Sequence, residues 1–503
     1  MAIKIISAVI RGVEGQLIDV EVDTARGLPC FNMVGLADTS VKEAKERVRS
    51  AIVNSGYEFP VCRIVVNLAP ADLKKAGTHF DLPIAIGILA ASGQLKLNDC
   101  SGYLFVGELS LSGSLNRITG GLPIVMAGMA KNIENFIVPA ENETECSYVK
   151  ESRVFSFSTL GQVLSFIKHR DSVPCVRRIS DITGGAGVTG SDYSDVMGHE
   201  SAKRAIEIAA AGGHNIILSG PSGSGKTMLA ERIPSILPVL TYDEAVDVTR
   251  IYSVSNKAYG SGLITARPFR SPHHTSSAVS LIGGGNSLMP GEVSLAHHGV
   301  LFLDEILEFK KSILDILRQP LEDRRISISR AAGTVVYPAN IMLVGAMNPC
   351  PCGYFGSSRE CTCTEYERRN YLSRLSSPLV DRIDMFTYVN SVPYNEIRSS
   401  GKAEGSEAIK ERVALTRGIQ GTRFEGSGIF LNSQMNAKMI RANCRLNPAA
   451  AKLLEGIYDR FNLSTRSYSR ILKVARTIAD LECREEISLA DVIEALQYKK
   501  YIY

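Results

Sequence analysis

Residues Gly220-Pro221-Ser222-Gly223-Ser224-Gly225-Lys226-Thr227 read G-x-x-x-x-G-K-T. Glycines at this spacing let successive backbone N–H groups close around phosphate oxygens, and a helix that follows adds the positive end of its dipole. Lys226 is then placed to reach β and γ phosphates, and the Thr227 hydroxyl to hold Mg²⁺. The flanks agree: apolar 215–219 reads as a buried strand and 228–233 as a helix. Strand, glycine loop and helix together predict a site for ATP with Mg²⁺.

A second group of residues fits hydrolysis. Val300-Leu301-Phe302-Leu303 reads as a buried strand ending in Asp304 and Glu305. Asp304 is expected to hold the Mg²⁺ shell through water, and Glu305 to orient and polarise the attacking water. The next apolar strand, 341–346, runs through Met347 into Asn348, whose amide would stand beside the γ-phosphate and that water. Arg382, after Pro378-Leu379-Val380-Asp381, fits an arginine finger that reaches a neighbouring subunit's nucleotide; the alternative is a surface arginine paired with Asp381 or Asp384. Cys350 and Cys352, then Cys361 and Cys363, could surround one tetrahedral Zn²⁺, with free thiols in a loop as the alternative. The pairs His273-His274 and His297-His298 are poor chelators, because adjacent side chains point different ways; pore-loop or subunit contacts suit them better.

These residues need elements to position them, and 503 residues are too many for one core, so about three domains are expected. Residues 1–170 alternate strand-like runs (4–9, 16–22, 63–68, 103–106) with a helix over 41–52 and an apolar helix over 82–91. A Gly-, Ser-, Thr- and Asp-rich stretch, 171–192, reads as a linker. Residues 193–391 carry the nucleotide motifs, and 392–503 read as helices over 406–417, 448–461, 467–481 and 489–499. On 448–461, Ala451, Leu454, Ile457, Tyr458 and Phe461 share one face. Two alternating runs, 326–330 and 334–337, flank Ala331-Ala332-Gly333 as a hairpin.

Composition narrows the class. With 45% hydrophobic and 21% charged residues the chain is of ordinary globular type, and its apolar runs are too short to span a membrane. A net charge of +4 neither demands nor excludes nucleic acid, so a DNA surface would have to be local. Of eleven cysteines, seven are scattered singly, which fits a reducing compartment and, with no signal-peptide layout, the cytoplasm.

In their order along the chain the phosphate loop, Asp304-Glu305, Asn348 and Arg382 resemble the AAA+ ATPases. The segment from Arg267-Pro268-Phe269-Arg270 to Gly299 lies where the helix-2-insert branch carries a loop facing a ring pore. With the hairpin and the cysteine cluster, the chain is similar throughout to the magnesium-chelatase-like family. Ser222 and Ser377 depart from that family's usual proline and glycine without touching a reacting group. The resemblance implies an α/β protein: an AAA+ P-loop NTPase core with a helical C-terminal lid, preceded by a Lon-protease-like α/β domain. That first domain is marked by Gly27-Leu28-Pro29, Val34-Gly35-Leu36-Ala37, Phe80-Asp81-Leu82-Pro83, Gly107-Glu108-Leu109 and Gly120-Gly121-Leu122. Proteolytic relatives use a serine and a lysine. Here Gly77-Thr78-His79-Phe80-Asp81 and Val125 stand at those places, and a hydroxyl without its base is expected to be inert.

The resemblance further implies a homo-hexameric ring, a second sensor arginine at Arg466 or Arg470, and work on single-stranded, duplex or branched DNA. Its DNA-acting members imply a branch-migration helicase that promotes integration of single strands during natural transformation and homologous recombination. Arg330 on the hairpin and Arg267 and Arg270 near the insert are the candidate DNA contacts. Chelatase-like metal insertion and protein remodelling are the alternatives.

Overall fold

The computed structural model describes residues 2–36, 38, 41, 43–96, 102–169, 175–176, 191–255, 262–285, 288–330, 333–357, 359–392 and 404–499. The expected linker lies outside them except for 175–176 and 191–192. Two compact units divide the chain: Met1–Thr183 with Thr241–Ile264, and Gly184–Leu240 with Thr265–Tyr503.

In the first unit seven strands form one sheet, in the order Cys30–Val34, Arg63–Ala69, Glu14–Ala25, Ile3–Arg11, Tyr103–Phe105, Asn135–Pro139, Arg153–Phe157. Ile3–Arg11 and Glu14–Ala25 make an antiparallel hairpin, and Tyr103–Phe105, Asn135–Pro139 and Arg153–Phe157 run parallel. Helix Asp81–Ala91 is buried from Asp81 to Leu89, which accounts for its unbroken apolar sequence. Around it the hydroxyl of Thr78 donates to the Glu108 carboxylate, and the Lys75 ammonium donates to the Pro70 carbonyl. Burial pushes His79 down to about 4, and lifts Asp81 to about 6 even though Arg47 lies 2.7 Å from its carboxylate. Val125, at the place where a proteolytic relative has its lysine, is fully buried.

The segment expected inside the ATPase core includes a helix that packs elsewhere. Tyr242–Val254 belongs to the first unit, where it lies against helix Gly121–Met129, the Gly120 N–H donates to the Ser253 carbonyl at 2.9 Å, and the Tyr242 hydroxyl donates to the Tyr148 carbonyl. The second unit closes behind this excursion through the Leu240 N–H, 3.2 Å from the Thr265 carbonyl.

The second unit holds a five-stranded parallel sheet in the order Phe269–Arg270, Val300–Leu303, Met342–Met347, Ile216–Ser219, Met385–Tyr388. The strand that feeds the phosphate loop and the strand that ends in the acids are thus separated by the Asn348 strand. Every residue of Ile216–Ser219 and Val300–Leu303 is buried, as expected of a parallel sheet covered on both faces. The hairpin forms from Arg325–Arg330 and Gly333–Pro338, with Ile326, Ile328, Val335 and Tyr337 inward and Arg325, Ser327, Ser329 and Thr334 outward.

Helices Ser406–Arg423, Ala437–Asn443, Pro448–Phe461, Thr465–Leu481 and Leu489–Gln497 complete this unit. Of the apolar face expected on Pro448–Phe461, Leu454 is buried and Ile457 and Tyr458 are half-buried, whereas Ala451 and Phe461 are exposed and Ala450 is buried instead. The i, i+4 pair takes the seam, and the flanking residues fall off it. At the centre, Asp480 is 1% exposed and receives Arg423 at 2.5 and 2.6 Å, Asn432 at 2.7 Å and Arg476 at 3.1 Å. Asp480→Ala strands the equally buried Arg476 without its counter-charge and is expected to cost about 3–5 kcal/mol, read as a fall in the denaturant midpoint.

Candidate active site

The phosphate loop leaves the sheet at Ser219 and turns into helix Lys226–Glu231. Gly223 and Gly225 take φ of +78° and +83°, left-handed values that a side chain would resist, and so turn N–H groups toward one centre. Ser224 is buried, and its hydroxyl has no hydrogen-bond partner. Lys226 is also buried. Its ammonium donates to the carbonyls of Gly220 and Pro221, both at 2.8 Å, and to Oδ1 of Asn348 at 3.2 Å. Burial pushes this ammonium below the ordinary lysine value, against the pull of Asp304 and Glu305. An unpaired hydroxyl and a cation held only by neutral oxygens fit an anionic phosphate chain, which would satisfy both.

Thr227 and Asp304 meet across the loop, hydroxyl to carboxylate at 2.8 Å. This is the pair that would hold Mg²⁺, the hydroxyl directly and the carboxylate through water. Asp304 also accepts the Glu305 N–H at 2.9 Å. Glu305 itself has φ +48° and ψ +46°, a strained conformation for a residue with a side chain. Its carboxylate lies near enough to Lys226 to act on that ammonium. His274, which the sequence offered only as half of a histidine pair, lies 3.8 Å from that carboxylate.

Asn348 follows strand Met342–Met347, whose last carbonyl accepts the Gly220 N–H at 3.2 Å. Its amide oxygen therefore stands at Lys226. The loop beyond it returns to the site, because the Gly353 carbonyl accepts the Ser222 N–H at 3.1 Å. In this way the cysteine-rich segment buttresses the tip of the phosphate loop.

Arg382 pairs with neither Asp381 nor Asp384. Its guanidinium donates to the Pro378 carbonyl at 2.6 Å and to the Glu322 carboxylate. Arg466 reaches the other oxygen of Glu322 at 2.5 Å and is half exposed. Arg470 is buried instead, 3.5 Å from Asp384 and 3.3 Å from the Ile383 carbonyl. Asn215 sets this corner: its amide nitrogen donates to the Arg382 carbonyl at 3.0 Å, and its oxygen accepts the Leu343 N–H at 2.9 Å. Neither Glu322 nor Asn215 stood out in the sequence. Glu322 is embedded in a mixed-charge run that reads as a solvated helix end, and a polar residue opening a buried strand was the one signal for Asn215.

The remaining candidates divide by exposure. Arg267 donates to the carbonyls of Pro238 and His298 at 2.7 and 2.8 Å, and Arg270 pairs with Glu292 at 2.6 Å. Arg330 faces solvent at the hairpin end. The sulfurs of Cys350, Cys352, Cys361 and Cys363 all lie within 4.8 Å of one another.

The geometry predicts two separable losses. Lys226→Ala removes the group that meets the phosphates and should abolish binding of a fluorescent ATP analogue. Glu305→Gln should leave that binding intact and lower the hydrolysis rate about a hundredfold or more in a phosphate-release assay.

Comparisons with known proteins cover the same ground. The family description "Magnesium chelatase, subunit ChlI" matches residues 192–397, and related descriptions of that subunit and its C-terminal part match 20–142 and 403–499. The chain is 42% identical to "Competence protein ComM" of Haemophilus influenzae, covering 98% of this chain and 96% of that one. It is also 42% identical to YifB of Escherichia coli, over 97% of this chain and 95% of that protein. The 67 kDa magnesium-chelatase subunit of Chlorobaculum tepidum shares 26% identity over 31% of this chain. Coverage from end to end, on a parallel sheet with the phosphate loop and acidic strand of an ATPase, places the chain in the magnesium-chelatase-like family of AAA+ ATPases, in its ComM and YifB branch.

Proposed function

We propose that this chain is the subunit of a homo-hexameric, ATP-driven ring that moves DNA in the cytoplasm, acting as a branch-migration helicase. Its role would be to promote integration of single strands during natural transformation and homologous recombination. The relative named as a competence protein supports the pathway, and the ten described cysteines, all free thiols, support a reducing compartment. Among the described residues no helix is long and apolar enough to cross a membrane.

The observation that carries the ring is a matter of register. Ile216 to Ser219 pair in parallel with Met385 to Tyr388, so Gly220 follows one end of the sheet while Arg382 precedes the other. Four strand residues separate the two levels, about 13 Å at 3.3 Å each, beyond the reach of one side chain. Arg382 thus serves a nucleotide bound by a neighbouring copy, and Arg466, on the same carboxylate, faces that nucleotide with it. Stabilising charge on the γ-phosphoryl group from across a boundary makes the closed assembly the working unit.

For DNA, the outward face of the hairpin is the suited surface. It presents Arg325 with Ser327, Ser329, Thr334 and Val336 and no acid, and Arg330 stands exposed at the hairpin tip, where its charge suits backbone phosphates. Arg267 and Arg270 are engaged within the fold, so grip falls to Arg330. Resolution of a labelled three-strand branched DNA tests the reading. The wild type should move the branch with ATP, Lys226→Ala should not, and Arg330→Ala should slow movement about tenfold while still hydrolysing ATP. Hydrolysis by the wild type without any branch movement would favour the chelatase or remodelling alternatives.

The four thiols are proposed to hold one structural Zn²⁺. Zn–S bonds of about 2.3 Å put tetrahedral sulfurs about 3.8 Å apart; Cys350 to Cys352, Cys352 to Cys361 and Cys361 to Cys350 measure 3.3, 3.6 and 3.7 Å. Bound there, the ion would cross-link the two ends of the loop that carries Gly353. Elemental analysis of the purified chain should find one zinc per subunit, lost in Cys350→Ser with Cys363→Ser; a zinc-free native protein refutes it.

A further inference from the structure

We propose that Glu322 is the positioning residue for the arginine pair: one carboxylate holds Arg382 and Arg466 side by side and presents them as a unit to the neighbouring subunit's nucleotide. The inference rests on the reading of Arg382 as a finger. It adds a residue that neither the nucleotide motifs nor the lid supplies, and a reason why the two arginines act together.

Each oxygen of Glu322 has its own guanidinium. Oε2 accepts from Nη2 of Arg382, and Oε1 accepts from Nη2 of Arg466 at 2.5 Å. Guanidinium geometry suits carboxylate and phosphate alike, so a group that can arrange two arginines around a carboxylate arranges them equally for a phosphoryl group. Arg382 is mostly buried, and the Glu322 carboxylate and the Pro378 carbonyl are the acceptors that fix its guanidinium. Arg466 comes from a different element, helix Thr465–Leu481, and Glu322 brings it to the finger.

Charge requires such a residue. Arg382, Arg466 and Arg470 all act on Glu322 and, with the Arg382 hydrogen bond leading, hold its carboxyl below the ordinary glutamate value. Removing the acid that both Arg382 and Arg466 pair with leaves two like charges to separate, and the exposed member, Arg466, is free to swing away. Stability is a poor alternative explanation, because the Glu322 and Arg466 side chains are 47% and 46% exposed and a pair that open contributes little to folding. The carboxylate also has a fixed base. Glu322 lies in helix Arg318–Asp323, two residues before Arg324 turns the chain at φ +54° into the hairpin. The arginine pair is thereby referenced to the root of the element proposed to grip DNA.

The test uses the full chain in mixed assemblies. Glu322→Gln, nearly isosteric, should lower kcat for ATP at least about tenfold, with KM within about twofold and an unchanged unfolding midpoint. Mixed with Lys226→Ala subunits, whose arginines are intact but whose own sites are dead, it should recover activity severalfold above the sum of the two preparations alone. Arg382→Ala mixed with Lys226→Ala is the companion. If Arg382→Ala is complemented while Glu322→Gln is not, or if Glu322→Gln keeps full kcat, the assignment of Glu322 is overturned and the finger reading stands. If Arg382→Ala is not complemented, the finger reading fails and Glu322 with it. Combining Glu322→Gln with Arg466→Ala guards against a folding artefact: a residue acting through the arginine should give no loss beyond the larger single effect, and an additive loss overturns the proposal.

Discussion

A buried ammonium favours anionic oxygen, and the one at the phosphate loop hydrogen-bonds, among the described residues, to neutral oxygens alone, with Asp304 and Glu305 acting on it from further off. Lys226 is held by two loop carbonyls and the Asn348 amide. Each is a dipole where the low-dielectric surroundings favour a full negative charge. The loop is therefore shaped by a ligand it does not supply. The left-handed glycines, the orphaned Ser224 hydroxyl and the strained Glu305 all lie within this one neighbourhood. Left-handed glycines, an unpaired hydroxyl and a strained acid meeting beside one ammonium are what a preorganised site for a polyanion should show.

The parallel sheet then imposes a polarity. Phosphate loop, acids and Asn348 follow the ends of their strands, as ligand sites of open α/β sheets do. Arg382 stands at the beginning of its strand, tied through Asn215 to the start of the phosphate-loop strand. One side chain thus ties the start of the phosphate-loop strand to the segment that carries Arg382. Asp384 continues the same corner: buried between His214 and Arg470, it is held far below the ordinary carboxylate range despite the cost of burial. That carboxylate joins the first and last strands of the core to the lid helix that carries both candidate sensor arginines.

What could be read from the sequence was local. Gly220 to Thr227, Asp304 with Glu305, and Asn348 each sit on a strand end within a few residues of their own signal, and a strand that ends in a loop positions its next residues without outside help. Lid helices were legible for the same reason, although on Pro448–Phe461 the ends of the expected face, Ala451 and Phe461, lie exposed and Ala450 is buried, because adjacent seams differ by one residue. Long-range partners were not legible. Glu322 meets Arg382 and Arg466 across 60 and 144 positions, and nothing in Leu321-Glu322-Asp323-Arg324 distinguishes a clamp from a solvated helix end. Arg267 and Arg270 look like basic surface in a list of residues, yet carbonyls and Glu292 claim them in the fold.

The excursion at Thr241–Ile264 changes what a domain means in this chain. Helix Tyr242–Val254 is encoded between two ATPase strands but buries Ala245, Val248, Thr249 and Ile251 in the first unit. The two units are consequently interleaved, with three covalent crossings where a simple fusion would have one. Deleting the amino-terminal domain at its linker would not liberate an intact ATPase unit; it would leave a helix with an uncovered apolar face in the middle of the remaining polypeptide. By the same logic, a cut anywhere in that linker separates nothing, and the two folds must be inherited, made and assembled together.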